Sequence, residues 1–201
     1  MMAYSAGLRL KLTAMPGWRR VAFMACCCER MFPNYERFQR EESYGDATVL
    51  RSGLDVVWEW VAVNVVPLGL EKIASACEEQ APFTGEHASV YTSAALDASA
   101  ALALTLRALA SASEESAIEV ASYATDTVDL FVQSTEDIDP TSADFEDVMA
   151  AHPLMQSEIE LQWESLQLLE RCTDRTATLA ELRAHSPSLC ACSLPLTSSS
   201  G

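Results

Sequence analysis

The feature that most constrains the fold is a run at residues 21–35, which reads V-A-F-M-A-C-C-C-E-R-M-F-P-N-Y. A helix turns by about 100° per residue, so the first eight residues would cover every face of a helix with apolar side chains. A helix that is apolar all round is buried among several neighbours. The run becomes charged at Glu29 and Arg30. We therefore predict a central, buried helix whose far end carries charge.

Two prolines divide this region into two predicted helices. Pro16 suits the first turn of a helix, where its missing N–H is not needed, so a helix is predicted over residues 16–31. Pro33 disfavours helical geometry at the residue before it. We therefore expect a break or kink there, followed by a shorter and more polar helix over residues 34–42.

The helix predicted to begin at Ala47 has the clearest amphipathic pattern, and Asp46 is placed to cap its free N–H groups. Its apolar stripe puts Trp58 in the core, where truncation to alanine would cost about 3–5 kcal/mol. Helical periodicity continues through most of the chain, and no stretch has convincing strand alternation. We predict an all-α fold, a single-domain multi-helix bundle of about seven to nine helices around the buried second helix. It would cover residues 1–185, with residues 186–201 as a disordered tail.

The charge of the chain is strongly acidic and unevenly distributed. There are 13 Lys and Arg residues against 29 Asp and Glu residues, for a formal net charge of −16. Residues 108–170 contain fifteen acids and no Lys or Arg. Such a surface would repel a phosphate backbone, so we expect no direct nucleic-acid binding. It would suit a basic protein partner, or it would serve as a solvated face, which is the more common role.

Seven cysteines are present, and three of them are consecutive at positions 26–28. Consecutive helical residues point in different directions, so these thiols cannot converge on one metal ion or pair without strain. We predict reduced, buried thiols, which are typical of a cytoplasmic protein. Cys190 and Cys192 have no nearby His or third cysteine, so no metal is predicted there. No apolar run reaches the roughly 18 to 20 residues that span a membrane, and no membrane association is expected.

Carboxylates beside apolar helical positions are the first candidates for chemistry. Four inward carboxylates in a bundle would resemble a dinuclear metal site, but the chain has no Glu-x-x-His pair to supply the imidazole ligands. Glycine-rich phosphate loops, Gly-x-Ser-x-Gly and Cys-x-x-Cys are also absent from the sequence. We therefore predict no cofactor and no metal ligand, and these motifs leave the catalytic residues unknown.

A polar pocket at the charged end of the buried helix is the remaining candidate site. Asp97 lies in an alanine-rich run, where an unpaired charge is costly, so we predict that it pairs with Arg30 or lies in a pocket. Arg51 and Asp55 are one helical turn apart and are predicted to pair along their own helix. The candidate pocket residues are Glu29, Arg30, Asn34, Tyr35, Asp55, Glu59 and Asp97.

Several blocks of the chain form one ordered pattern. They are W-R-R-V-A-F-M-A-C-C-C-E-R-M-F-P-N-Y at 18–35, Y-G-D at 44–46, L-R at 50–51, L-D at 54–55, W-E at 58–59, L-E-K at 70–72, Tyr91 with Ala95, D-A at 97–98, and the stretch from Pro153 to Trp163. The pattern covers roughly residues 8–182 and resembles the YjaG-like family of bacterial proteins, a domain-of-unknown-function family. The resemblance implies an all-α cytosolic protein and supplies no established catalytic residues. The triple cysteine and the tail after His185 depart from the family pattern.

The residues leave more than one function open. The first is a non-enzymatic cytosolic interaction or regulatory protein, whose acidic surface meets a protein partner or which forms a homodimer. The second is a small-molecule- or metal-dependent enzyme with a polar pocket around Glu29, Arg30, Asp55, Glu59 and Asp97. A third is mimicry of nucleic-acid charge by the acidic stretch. The uneven charge and the absence of catalytic spacing favour the first.

Overall fold

A computed structural model of the chain describes residues 2–172, 174–176, 179, 181, 182 and 194. Helices are the only regular secondary structure in this part of the chain, which confirms the predicted all-α bundle. Numbered in chain order, the helices are α1 (Met2–Ala14), α2 (Gly17–Glu42), α3 (Ala47–Val63), α4 (Leu70–Glu78), α5 (Thr92–Ala108), α6 (Glu114–Thr135), α7 (Phe145–Ala151) and α8 (Pro153–Arg171). Apart from Leu194, the predicted tail at residues 186–201 lies outside the described residues.

Helix α2 is the buried axis of the bundle, as the sequence predicts. It contacts α3, α5, α6 and α8, and each of residues 21–28 is at most 3% exposed. The three consecutive thiols at positions 26–28 belong to this surface, and none of them forms a disulfide with another described residue. They therefore pack as small apolar side chains in the centre of the fold.

Of the break or kink expected at Pro33, the break is wrong, because α2 is one uninterrupted helix over Gly17–Glu42 that includes the predicted separate helix at residues 34–42. An interior proline removes a helical hydrogen bond and crowds the preceding turn, at a cost of about 3 kcal/mol. Here the side chains on both sides of it are anchored in the core. Met31, Tyr35 and Phe38 are each at most 2% exposed. Burial of these residues offsets the local cost and keeps the helix continuous.

Helix α3 begins as predicted but buries a different tryptophan. Asp46 caps it, because Asp46 Oδ1 accepts a hydrogen bond from the Thr48 N–H at 2.8 Å. Trp60 is 6% exposed and lies in the core, whereas Trp58 is only partly buried at the core's edge. Both rings lie about 70–90° from the centre of the stripe formed by positions 50, 54, 57 and 61, on opposite flanks. Periodicity alone therefore could not decide which tryptophan is buried.

The acidic half of the chain folds into α6, α7 and α8. Helix α6 packs against α1, α2, α5 and α8, and α7 packs against α8. The Oγ of Ser113 accepts a hydrogen bond from the Ser116 N–H at 3.0 Å and caps α6. This arrangement brings acidic positions of α6 and α7 together beside the start of α8. No helix in the described ranges has both the length and the apolarity needed to cross a membrane.

Candidate functional site

Arg51 brings together two of the candidate pocket residues, Glu29 and Asp55. Its Nη1 and Nη2 donate to Glu29 Oε2 and Oε1 at 2.9 and 2.8 Å, and its Nη2 lies 3.2 Å from Asp55 Oδ1. The predicted pairing of Arg51 with Asp55 is thereby confirmed. Trp58 Nε1 also donates to Glu29 Oε1, at 2.8 Å. Since the Asp55 side chain is 69% exposed, this network faces solvent and ties α2 to α3.

Arg30 pairs with Glu158 of α8, so the predicted ion pair between Arg30 and Asp97 is wrong. Arg30 Nη2 donates to Glu158 Oε1 at 2.9 Å, and Arg30 Nε donates to Glu158 Oε2 at 3.1 Å. Both side chains are at most 1% exposed. Gln162 Nε2 donates to Glu158 Oε1 at 2.9 Å, and Tyr4 Oη donates to Gln162 Oε1. These added hydrogen bonds compensate the burial of both charges and close the network off from solvent.

The remaining α2 and α3 candidates lie in separate surroundings. Tyr35 Oη donates to the Gln80 carbonyl at 3.0 Å, which ties α2 to the segment after α4, and burial raises the pKa of Tyr35 to about 12. Asn34 is 2% exposed inside the bundle, and Glu59 is exposed on α3. The structure therefore unites Glu29 with Asp55 and places the other candidate side chains in different environments.

Asp97 of α5 is a buried carboxyl that contacts a hydroxyl of α6. It is 7% exposed and accepts a hydrogen bond from Thr127 Oγ1 of α6 at 2.9 Å. No basic side chain of the described residues forms an ion pair with it. Burial, with a smaller contribution from Asp126, raises the pKa of Asp97 to about 6, although the Thr127 hydrogen bond acts in the opposite direction. Asp97 is thus still mostly ionised at neutral pH and adds negative potential beside α6.

A cleft of about 200 Å³ opens between α6, α7 and the start of α8. Its floor is apolar, because it is formed by Met149 and Met155, which are only 4% and 3% exposed. Asp126 and Glu146 are exposed at its rim. The cleft, termed the α6–α7 cleft below, is lined by Thr125, Asp126, Asp129, Phe145, Glu146, Met149, Ala150 and Met155.

The carboxylates of the α6–α7 cleft repel one another. Burial and then Asp129 raise the pKa of Asp126, and burial and Glu146 raise the pKa of Asp129. Gln133 Nε2 donates to Asp129 Oδ2 at 2.8 Å, which partly stabilises that carboxylate. Among the described residues, no basic side chain contributes to these shifts. The cleft is therefore a site of uncompensated negative charge over an apolar floor.

The chemistry of this cleft matches a cationic side chain better than a metal ion. Within the described part of the chain, no group of three or more His, Cys, Asp or Glu residues could hold a metal. Lysine and arginine pack their methylene stems on apolar surface and keep the charged end among polar groups. Methionine at positions 149 and 155 would contact such a stem, and the rim carboxylates would pair with its charged end.

Comparison with known proteins identifies the family. A family model described as protein of unknown function, DUF416, matches residues 7–188. The chain belongs to the DUF416 family. The DUF416 chain is 30% identical over 179 residues to the uncharacterized protein YjaG of Escherichia coli, covering 88% of this chain and 89% of that protein. It is 29% identical over 172 residues to an uncharacterized protein of Haemophilus influenzae, covering 84% and 85% of the two chains.

A solved structure shares the fold of this DUF416 chain. The crystal structure of a DUF416 family protein from Shewanella baltica matches with a TM-score of 0.79 and 22% sequence identity, over 92% of this chain and 98% of that one. The resemblance to the YjaG-like family is confirmed by these matches. The family is one of unknown function, so these matches assign no role to any residue of the DUF416 chain.

The sequence prediction missed the residues that form the α6–α7 cleft, and it missed Glu158. Asp126, Asp129 and Glu146 all lie in the acidic stretch without Lys or Arg, which was the available signal for a negative site. Glu158 lies one helical turn before Gln162 on the buried face of α8, which also carries Met155, Leu166 and Leu169. A carboxylate on the same face as such apolar residues was the signal for a buried ion pair, but it does not identify the partner.

Proposed function

We propose that this DUF416 chain is a non-enzymatic cytoplasmic interaction protein that binds a cationic side chain of a partner protein in the α6–α7 cleft. One observation carries the proposal: uncompensated carboxylates surround a floor of buried methionine in a single cleft. A lysine or arginine in a partner's basic segment would pack its methylene stem on the methionines and pair its charged end with the carboxylates. Hydrogen bonds between such a cation and carboxylates are charge-assisted and stronger than neutral ones.

Binding of a cation would relieve the repulsion within the cleft. Asp126 and Asp129 have raised pKa values in the free protein because of burial and neighbouring carboxylates. A cation between them would favour their ionised forms and lower both pKa values. We therefore expect tighter binding at neutral pH than at acidic pH. We also expect weaker binding at high salt, since part of the attraction comes from exposed charges.

The enzymatic alternative has less support from the site geometry. Glu29 and Asp55 are held by Arg51 in an ion-pair network, and Arg30 is enclosed with Glu158 in the core. A general acid or base needs hydrogen-bond reach to a substrate, which an enclosed ion pair does not offer. Burial raises the pKa of the Cys28 thiol to about 12, which disfavours the thiolate form needed for nucleophilic attack. The described cysteines are buried and form no disulfide with one another, which also supports the cytoplasmic setting.

A binding assay with a defined cationic probe tests the proposed function. The probe is a short fluorescent peptide rich in lysine, compared with the same peptide in which glutamine replaces each lysine. The cleft variant Asp126→Asn, Asp129→Asn, Glu146→Gln keeps the size of each side chain and removes its charge. We expect it to weaken binding of the lysine peptide by about tenfold or more, which corresponds to about 1.4 kcal/mol.

A matched control separates the cleft from the overall acidity of the chain. Glu115, Glu160 and Glu164 are exposed acids on α6 and α8 that do not line the cleft. Changing these three residues to glutamine gives the same net charge as the cleft variant. This control should keep binding within about twofold of the wild type, because distant exposed charges contribute little. Equal weakening in both variants would show that binding reflects net charge alone and would refute the proposal.

A further inference from the structure

Two tryptophans and two arginines form a cluster where α2 begins. Arg175, in the described stretch 174–176 after α8, lies with its Cζ 5.7 Å from the Trp18 ring centroid and 5.6 Å from the Trp60 ring centroid. Arg19 Cζ lies 5.2 Å from the same Trp18 centroid. Both guanidinium groups therefore flank one indole ring. These four residues are termed the arginine–tryptophan cluster.

Buried donors of this cluster lack an acceptor among the described residues. Arg19 Nε, Arg175 Nη1 and Trp60 Nε1 are each buried without a hydrogen bond. Trp60 as a whole is only 6% exposed, so its indole N–H cannot rely on water. Buried donors are normally paired, and three unpaired donors in one cluster favour an acceptor-rich ligand.

The arginines at the start of α2 also lack counter-ions within the described part of the chain. Arg19 Nη2 donates to the Cys172 carbonyl at the end of α8, and Arg20 Nη1 donates to the Leu12 carbonyl of α1 at 3.5 Å. These carbonyls accept hydrogen bonds but do not neutralise charge. Arginines elsewhere, such as Arg30 and Arg51, pair with carboxylates. Positive charge is therefore concentrated here in a chain whose formal net charge is −16.

The first turn of α2 reinforces this positive potential. The N-cap residue Pro16 makes no side-chain capping hydrogen bond, and the first turn contains no acidic residue. The N-terminal end of a helix carries a partial positive charge, which repels arginine and attracts anions. Arginine at this end is therefore slightly unfavourable in the free protein, and a bound anion would offset the repulsion.

We propose that the arginine–tryptophan cluster binds a phosphate group. Phosphate carries about two negative charges near neutral pH and presents several acceptor oxygens, which match two guanidinium forks and one indole N–H. A carboxylate supplies one charge and two oxygens, so it neutralises less positive charge and accepts fewer hydrogen bonds from the cluster. The indole faces are already covered by guanidinium groups, so the group recognised is the oxyanion. The cluster shares no residue with the α6–α7 cleft and does not depend on it.

An NMR titration of the full chain tests this site. The ¹⁵N-labelled protein is titrated with inorganic phosphate and, separately, with acetate at equal ionic strength, and the indole N–H signals are followed. We expect the Trp60 signal to move downfield and saturate with phosphate, with a much smaller change in acetate. The double variant Arg19→Gln, Arg175→Gln should weaken phosphate binding by about tenfold or more. Arg40→Gln, at an exposed position of α2, should stay within about twofold of the wild type.

The wild-type titration decides the question even where the double variant fails to fold. A Trp60 signal that does not saturate with phosphate, or that responds equally to acetate, would overturn the proposal. Equal weakening in the Arg40→Gln variant would also overturn it. Comparing inorganic phosphate with glycerol 3-phosphate identifies the source of the group, since the tighter of the two ligands marks the site as one for free phosphate or for a phosphate ester.

Discussion

Replacing Asp97 by asparagine should stabilise the protein at neutral pH. Asp97 is 7% exposed, and burial raises its pKa from 3.8 to about 6. The folded protein therefore holds the ionised carboxyl less favourably than the unfolded chain does. Asparagine keeps an oxygen that can accept the Thr127 hydrogen bond and has no charge to bury. The Asp97→Asn variant thus removes the free-energy cost of burying an ionised carboxyl and keeps the contact between α5 and α6.

The size of this effect follows from the pKa difference. One pKa unit corresponds to about 1.36 kcal/mol, so a rise of roughly two units makes the ionised carboxyl cost up to about 3 kcal/mol. The amide makes a weaker hydrogen bond with Thr127 and adds an N–H₂ group that needs a partner, so the net gain in the free energy of unfolding should be about 1–2 kcal/mol.

The stability difference between Asp97→Asn and the wild type should depend on pH. The folded pKa of Asp97 is raised, so the folded state takes up the proton first as the pH falls. The destabilisation of the folded state by ionised Asp97 is complete above about pH 6 and disappears as the pH falls from about 6 towards 4. The advantage of Asp97→Asn over the wild type should therefore shrink by on the order of 1 kcal/mol between about pH 7 and pH 5.

Urea unfolding followed by circular dichroism at about pH 7.5, 6 and 5 measures this difference. Thr127→Val is the matched control, because it removes the hydroxyl that stabilises ionised Asp97 and should destabilise the protein most at the highest pH. The reasoning is refuted when Asp97→Asn lowers stability at every pH, or when its difference from the wild type does not change with pH.

Three further predictions concern the core. Glu158→Ala leaves Arg30 buried without its carboxylate and should lower the free energy of unfolding in urea by about 3–5 kcal/mol, so an unchanged stability would contradict the buried pair. Gly53→Ala puts a methyl group 2.6 Å from Cys77 Sγ and should cost about 1–3 kcal/mol in thermal unfolding, whereas a neutral result would mean that α3 and α4 separate easily. The buried Cys28 thiol, with its pKa raised by burial to about 12, should react with iodoacetamide only when the structure opens. Rapid alkylation in native buffer would contradict its burial.

The parts of the fold that could be predicted depend on local signals. The apolar run at residues 21–28 identifies the buried helix, because eight consecutive apolar residues leave no polar face. Asp46 caps α3 through a hydrogen bond that spans two residues, and so depends on local geometry alone. Helix continuity at Pro33 is different, since it depends on side chains anchored by distant helices. Local propensity therefore gave the wrong prediction there.

The candidate site was less predictable because it depends on contacts between helices. Arg30 pairs with Glu158 of α8 and not with Asp97 of α5. Which of the two carboxylates lies beside Arg30 is decided only by how α2, α5 and α8 pack. The acidic composition of residues 108–170 indicates a negative surface. The α6–α7 cleft additionally requires α7 to lie beside α6 and to turn Met149 inward. No periodicity in the sequence specifies that position for so short a helix.

The methyl signals of the cleft floor give the most direct test of cation binding at the α6–α7 cleft. The protein is labelled with ¹³C at the methionine methyl groups and titrated with the lysine-rich peptide. The Met149 and Met155 signals should shift and saturate together, because both side chains floor the cleft. Met24, buried elsewhere in α2, should not move. Peptide binding that leaves Met149 and Met155 unchanged would contradict the proposed function.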